Sequence, residues 1–363
     1  MSHSQNTSVT VEPQRSTLPE RAAKYPQLRF MGSKHRLLAW IHEILREHRF
    51  VTALDPFSGS GAVAYLMKTM GKSVFASDFL NFCTAIAHAV VENSKDRLSP
   101  AEIEMLLKTG NRQDCGTFIE DTFRGIFYTP DDLRFLDSVW CNLSRLKTPY
   151  LRSVAMAALI RSCVKRQPRG VFTVAGDSRR YDDGRRDLRL SIEEHFREQV
   201  SIYNEAVFDN GQQCHAITSN VFELPSSYTG VDLVYLDPPY VPRSDDNCYV
   251  KRYHFLEGLS IYWRNQEILF DTKVKKIRKK YTPFSYRKDA IVAFERLFAM
   301  FRRSTIVLSY SSNGYPDLDI LVNLMERVKN GVTVHERNHR YHFGTHSKVR
   351  RAEVVEYLIV GID

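Results

Sequence analysis

Apolar positions in this chain follow two rhythms that take turns. Short runs of β-branched and apolar residues occupy 51–55, 73–76, 214–218, 231–240, 305–309 and 354–360, and each reads as a strand. Between them apolar residues recur at helical spacing. Leu37, Leu38, Ile41, Ile44 and Leu45 do so before the first run, where Ser33 can cap the helix, and Ala62, Val63, Leu66 and Met67 do so after it. Residues 249–263 and 290–301 add two further helical segments. Strand, turn, helix and strand in this order predict an α/β fold built on a Rossmann-like, mostly parallel sheet.

The alternation stops after the second strand. From 79 to 213 the patterned segments, 102–107, 131–146 and 149–164, are all helical, which predicts a mainly helical domain inserted into the α/β frame. The expected division is a polar, disordered tail at 1–26, a catalytic domain made of 27–90 and 210–363, and an insertion at 91–209.

Composition narrows the classes. A chain of 363 residues can bury a large core, and a net charge of +9 favours a polyanionic partner. No apolar run approaches the length of a membrane span. The six cysteines (Cys83, Cys115, Cys141, Cys163, Cys214, Cys248) are dispersed with no Cys-x-x-Cys pair, so reduced thiols are expected. His335, His339, His342 and His346 surround Gly344 in strand-like sequence rather than along one helical face, so no metal site is expected there.

The candidate chemistry lies at strand ends. The run 231–240 finishes in Asp237-Pro238-Pro239-Tyr240. An acid, a proline carbonyl without a competing N–H, and a ring suit an exocyclic amino group on a nucleobase. Such a nitrogen is a poor nucleophile until both its N–H groups are hydrogen-bonded, and Tyr240 offers a face to a base removed from its stack. The first strand ends in Asp55, followed by Pro56, Phe57, Ser58, Gly59, Ser60 and Gly61. Glycines there permit a tight turn close to a ligand, while an acid at the start and no basic residue make the turn a poor pyrophosphate site. A cationic cofactor, S-adenosylmethionine, fits better, with Asp78 at the next strand end placed for ribose hydroxyls. Phe30, Gly32 and Lys34 precede the first helix, and Asn220 and Phe222 follow the third strand, where Phe222 could face an adenine or the core. Lys165, Arg166, Arg169, Arg179, Arg180, Arg185 and Arg186 form a basic stretch that reads as a DNA-gripping loop or as a solvated face. The chain has no Pro-Cys dipeptide of the kind that carbon-5 cytosine methylation needs.

With Phe30–Lys34, Asp55–Gly61, Asp78 and Asp237–Tyr240 in this order, the chain resembles the Dam-like DNA adenine methyltransferases, the alpha group of amino-methyltransferases. The resemblance implies a class I S-adenosylmethionine-dependent fold whose insertion is the target-recognition domain. It implies that Phe30 and Lys34 contact the cofactor, that Asp78 holds it, and that Asp237 touches both cofactor and target amine. Asn220 stands where many members carry an acid that reads the cofactor's adenine. The expected reaction is methyl transfer to adenine N6 in a specific double-stranded DNA sequence, within a restriction-modification or related defence system. The expected setting is the cytoplasm of a prokaryote or the product of a phage, with a cognate endonuclease as partner and a monomeric or weakly dimeric state. Transfer to cytosine nitrogen-4 or to RNA adenine, and a non-catalytic DNA-binding protein on the same scaffold, are the alternatives.

Overall fold

In the computed structural model, which describes residues 18–108, 115–176, 184–241, 248–340 and 353–363, β1 spans Thr52–Asp55, β2 Ser73–Asp78, β3 His215–Thr218 and β4 Leu233–Leu236. All four residues of β4 are buried, as expected of a strand covered on both faces. A two-stranded hairpin, β5 (Ile268–Leu269) and β6 (Lys276–Ile277), stands apart, and β7 (Thr305–Ser311), β8 (Gly331–Arg340) and β9 (Glu353–Ile362) complete the main sheet.

The seven-stranded sheet has the order β3-β2-β1-β4-β7-β9-β8. β1 to β4 and β7 pair in parallel, with Leu54 opposite Val234 and Leu236 opposite Leu308, and β9 runs antiparallel to both its neighbours. This is the mostly parallel α/β sheet that the alternation predicted. Strand order reverses between β1 and β4, the point where open α/β sheets bind ligands at the carboxyl ends of their strands. Asp55 ends β1, Asp78 ends β2, and Asp237 follows the last residue of β4.

Two apolar cores lie on the two faces. Helices Leu38–Leu45, Ala62–Thr69 and Asn81–Ala87 cover one face, and Arg287–Met300 and Leu318–Glu326 cover the other. The regular elements among the described residues of 91–209 are helices, and the long ones, Pro149–Arg166 and Ile192–Ala206, each start at a side-chain cap. Thr148 accepts from Leu151 N, and Ser191 forms a reciprocal box with Glu194. Val154, Leu159, Phe196 and Tyr203 from this interval belong to the same core as Ile86 and Val90. The insertion therefore closes over one face of the sheet.

Three expectations change. Residues 20–25 are structured, not part of a disordered tail: Glu20–Ala23 is helical, Ala22 and Tyr25 are buried, and the Tyr25 hydroxyl donates to the Ser60 carbonyl at 2.6 Å. An aromatic anchor inside an otherwise polar stretch gives this segment something to bury. Cys115 and Cys141 form a disulfide with Cα atoms 5.2 Å apart, because the fold lays residue 115 beside the helix Pro130–Leu143; the other four cysteines are free and buried. Lys165 and Arg166 are the last turn of the helix Pro149–Arg166, not part of a loop. His335 and His339 lie on β8, whereas His342 and His346 are outside the described residues. Among the described residues no cluster of three or more His, Cys, Asp or Glu side chains could hold a metal ion, and no helix is long and apolar enough to cross a membrane.

Candidate active site

A turn with two left-handed glycines forms the floor of the site. Gly59 (φ +49°) and Gly61 (φ +77°) adopt backbone that L side chains rarely take, and neither has room for a Cβ. At Gly59 it would sit 2.9 Å from Phe30 Cε1, and at Gly61 2.7 Å from the Tyr25 hydroxyl. Glycine thus lets the Phe30 ring lie directly on the turn. Asp78 holds the turn from below: its carboxylate accepts from Gly59 N and Leu80 N, each at 2.9 Å. Burial pushes this carboxyl up to about 7, against the pull of those backbone donors.

Across the turn, Lys34 meets Asp237. The Lys34 ammonium donates to Asp237 Oδ1 at 2.8 Å, with Oδ2 also at 2.8 Å, and to the Gly32 carbonyl at 3.0 Å. Both side chains are largely withdrawn from water. Burial pulls the Lys34 ammonium down, but Asp237 and Glu356 outweigh it and hold it above its ordinary value. Burial raises Asp237, and Lys34 offsets only part of that rise. Asp55 lies well above the usual carboxylate range, first through burial and then through the charge of Asp237.

These residues line one cleft that encloses about 590 Å³, open solvent included. Phe30, Gly32, Lys34, Asp55, Phe57, Gly59, Asp78, Asp237 and Pro239 all border it, together with Tyr235 and Tyr249.

Other candidates lie outside its lining. Gly61 serves the fold of the turn. Tyr240 is half-buried beside Tyr310, with ring centroids 5.3 Å apart, and Pro238 precedes Pro239 in the chain. Asn220 caps a short 3-10 turn by accepting from Phe222 N at 3.2 Å. The Phe222 ring stacks on Phe284 at 5.7 Å and lies under Arg296 at 4.2 Å. It reaches the cleft only through Phe284, whose edge meets Phe57.

The basic stretch divides in the same way. Arg166 is buried, paired with Asp132 and with the Leu188 carbonyl, so it cannot reach a DNA phosphate as the sequence reading expected. Lys165 pairs with Asp187 at 2.8 Å, Arg185 donates to the Pro168 carbonyl at 2.9 Å, and Arg186 pairs with Glu198. Arg169 is exposed, and Arg179 and Arg180 lie outside the described residues.

Sequence reasoning missed several neighbours. Glu356 is buried on β9, and its charge reaches both Lys34 and Asp237. Glu257, fully buried on the helix Tyr249–Ile261, accepts from Asn81 Nδ2 at 2.8 Å and from Lys280 at 3.0 Å. Tyr253 stacks on Phe30 at 4.9 Å, and its hydroxyl accepts from Met31 N at 2.7 Å. The advance signals were the aromatic density of 249–263 and the likeness of Tyr253–Glu257 to a stretch downstream of the motif in type II restriction-associated members, neither of which assigned a contact.

Sheet order, glycine turn and an acid at the switch point together define a class I methyltransferase. Comparison with known proteins places it further. A family model described as the D12 class N6 adenine-specific DNA methyltransferase matches residues 30–311, and the chain belongs to that family. The Type II methyltransferase M2.HphI of Haemophilus parahaemolyticus is 28% identical over 347 residues, covering 92% of this chain and 97% of that protein. Modification methylase LlaI of Lactococcus lactis subsp. lactis is 23% identical over 353 residues, 90% of this chain and 53% of its own. Modification methylase StsI of Streptococcus sanguinis is 24% identical over 330 residues, 82% and 46%. The chain spans about half the length of these last two. It is an adenine-specific DNA methyltransferase by family.

Proposed function

We propose that this protein transfers a methyl group from S-adenosylmethionine to the N6 amino group of an adenine within a specific double-stranded DNA sequence. It would do so in the cytoplasm, as the modification partner of a cognate endonuclease. The observation that carries the reading is Asp237, held by Lys34 at the carboxyl end of β4, on the rim of a cleft floored by a glycine turn.

The lining fits the methyl donor by charge. Asp55, Asp78 and Asp237 border the cleft against one cation, Lys34, so the site carries an excess of buried acid that a ligand with ammonium and sulfonium groups would relieve. Phe30, Phe57 and Tyr249 supply apolar walls for a purine, and Asp78 retains acceptor capacity for ribose hydroxyls. Bound there, the donor supplies an electrophilic methyl group. Asp237 and the Pro238 carbonyl then accept the two N–H groups of the target amine, which frees the nitrogen lone pair toward the methyl carbon. The amine must shed one proton as the new bond forms. Asp237, raised by burial, is a stronger acceptor for it than an exposed aspartate. Tyr240 stacks on the displaced base.

Mass spectrometry of nucleosides from plasmid grown with the protein tests the reading. N6-methyladenine is the expected product; nitrogen-4-methylcytosine, or no modified nucleoside, would sink it. Tyr240→Phe should keep most activity on duplex DNA, while Tyr240→Ala should lose about tenfold or more, since stacking on one base is worth ~1–3 kcal/mol. The fluorescence of 2-aminopurine at the target position reads the same step, and equal activity of the two variants would remove Tyr240 from it.

A further inference from the structure

A second basic stretch of the chain falls outside the insertion. Residues 273–280 hold six cations, Lys273, Lys275, Lys276, Arg278, Lys279 and Lys280, and no acid. Arg278 pairs with Glu267 and Lys280 with buried Glu257 at 3.0 Å, while Lys275 donates to the Phe270 carbonyl at 2.6 Å. Those two carboxylates do not balance the six cations. In the first stretch, by contrast, Lys165, Arg166 and Arg186 each meet a carboxylate of their own.

The second stretch ends at a small pocket backed against the donor cleft. Lys279, Lys280, Ser285 and Tyr286 line it, and Phe79 and Tyr249 are walls common to the pocket and the cleft. Lys279 Nζ sits 5.2 Å from the centre of the Tyr286 ring, and Tyr281 stacks on the same ring at 5.3 Å while donating its hydroxyl to Asp289 at 2.7 Å. Ser285 is 7% exposed, and its hydroxyl is buried with no hydrogen-bond partner among the described residues. A buried hydroxyl in that state costs stability until a ligand engages it. Just beyond it the helix Arg287–Met300 starts without a side-chain cap, and its N-terminal dipole favours negative charge. Cation, hydroxyl donor and helix start together select an oxyanion over a neutral ligand.

We propose that this pocket is a phosphate subsite, in which Lys279, the Ser285 hydroxyl and the start of the helix Arg287–Met300 hold one backbone phosphate of the DNA substrate. The inference rests on the functional reading above, with duplex DNA as the substrate. Because Phe79 and Tyr249 border both spaces, a phosphate gripped here lies one side chain away from the donor cleft. Such a contact carries no sequence information; it fixes the position of the duplex against the reaction centre.

Duplexes bearing the methylated sequence, each with one neutral methylphosphonate linkage near the target adenine, read the contact by fluorescence anisotropy. With the wild-type protein one such linkage should weaken binding about tenfold, the size of a charge-assisted hydrogen bond. Lys279→Gln should bind the unmodified duplex about tenfold more weakly, with a salt slope smaller by about one, and should be indifferent within about twofold to that same linkage. Ser285→Ala should lose about threefold to tenfold with its salt slope unchanged, and its melting temperature should not fall, since the hydroxyl removed has no partner. Both variants should weaken a scrambled duplex by the same factors, as a contact to the backbone requires. No loss in either variant, or a loss that leaves the wild-type linkage pattern intact, overturns the subsite. Inorganic phosphate at fixed ionic strength that raises the melting temperature of the wild-type protein but not of Lys279→Gln, with no linkage mattering, would mean a free anion and overturn the DNA assignment. Failure of the wild-type protein to bind any duplex would instead overturn the functional reading.

Discussion

Asp237→Ala should abolish methylation while leaving DNA affinity largely intact, with a loss of stability from the Lys34 ammonium left unpaired. The carboxylate stands at the end of a buried strand, and its proposed partner, the amine, gains charge only as the methyl group is transferred. A charge-assisted hydrogen bond that strengthens in the transition state of a closed site is worth ~3 kcal/mol or more, a hundredfold in rate at the least. Single-turnover rates on cognate DNA are the measurement. A fall of less than tenfold would show that Asp237 is not the acceptor. Asparagine at this position is the sharper variant, since it keeps one acceptor oxygen and removes the ability to take a proton; it should fall between wild type and alanine.

Lys34→Met should be nearly as damaging, with a pH signature of its own. Burial already raises Asp237, and the Lys34 ammonium is what holds it down. Without that cation Asp237 keeps Glu356 as a like-charged neighbour, and its pKa must climb further. The active form is the carboxylate, so activity is lost as pH falls through the Asp237 pKa. In the variant that loss sets in at higher pH, by about one unit for each ~1.4 kcal/mol of lost interaction. At neutral pH the rate should drop at least tenfold and recover in part as the buffer is made more alkaline. The melting temperature should fall too, because a buried pair broken on one side costs ~3–5 kcal/mol. An acid limb of the rate profile that coincides with wild type would mean that Lys34 does not govern the ionisation of Asp237.

What the sequence made legible is what a few consecutive residues determine. Asp55 to Gly61 read as a strand end and a glycine turn, because glycine adopts the left-handed conformation at Gly59 and Gly61 at no steric cost where other residues rarely do. Asp237-Pro238-Pro239-Tyr240 had to end a strand, because proline cannot extend one. The sheet and its helical interruption followed from periodicity alone. The illegible parts are meetings between distant segments. Nothing local shows that Tyr25 will reach Ser60, 35 residues away, or that Arg166 will turn inward to Asp132. A count of arginines assigned Arg166 to DNA; burial assigned it to the core. Glu356 lay unnoticed because a single acid in an apolar strand reads as an ordinary surface position until its neighbours are known. Phe222 was left open between ligand and core, and its rings and cation all belong to the side of the sheet behind the cleft.

The place of β9 has a consequence for how this molecule comes to exist. It follows β8 in the chain yet lies between β7 and β8, and β8 has no other partner in the sheet. During synthesis β7 and β8 must therefore wait with open edges, unable to pair with each other in the final arrangement, until the intervening strand slots in between. Unpaired edges of this kind invite pairing with other chains. The strand that seals them also carries Glu356 into the neighbourhood of Lys34 and Asp237, so the charge balance of the reaction centre is completed in the same event that removes the exposed edge. A chain in which β9 has not yet paired thus exposes two sheet edges and lacks the Glu356 charge beside Lys34 and Asp237.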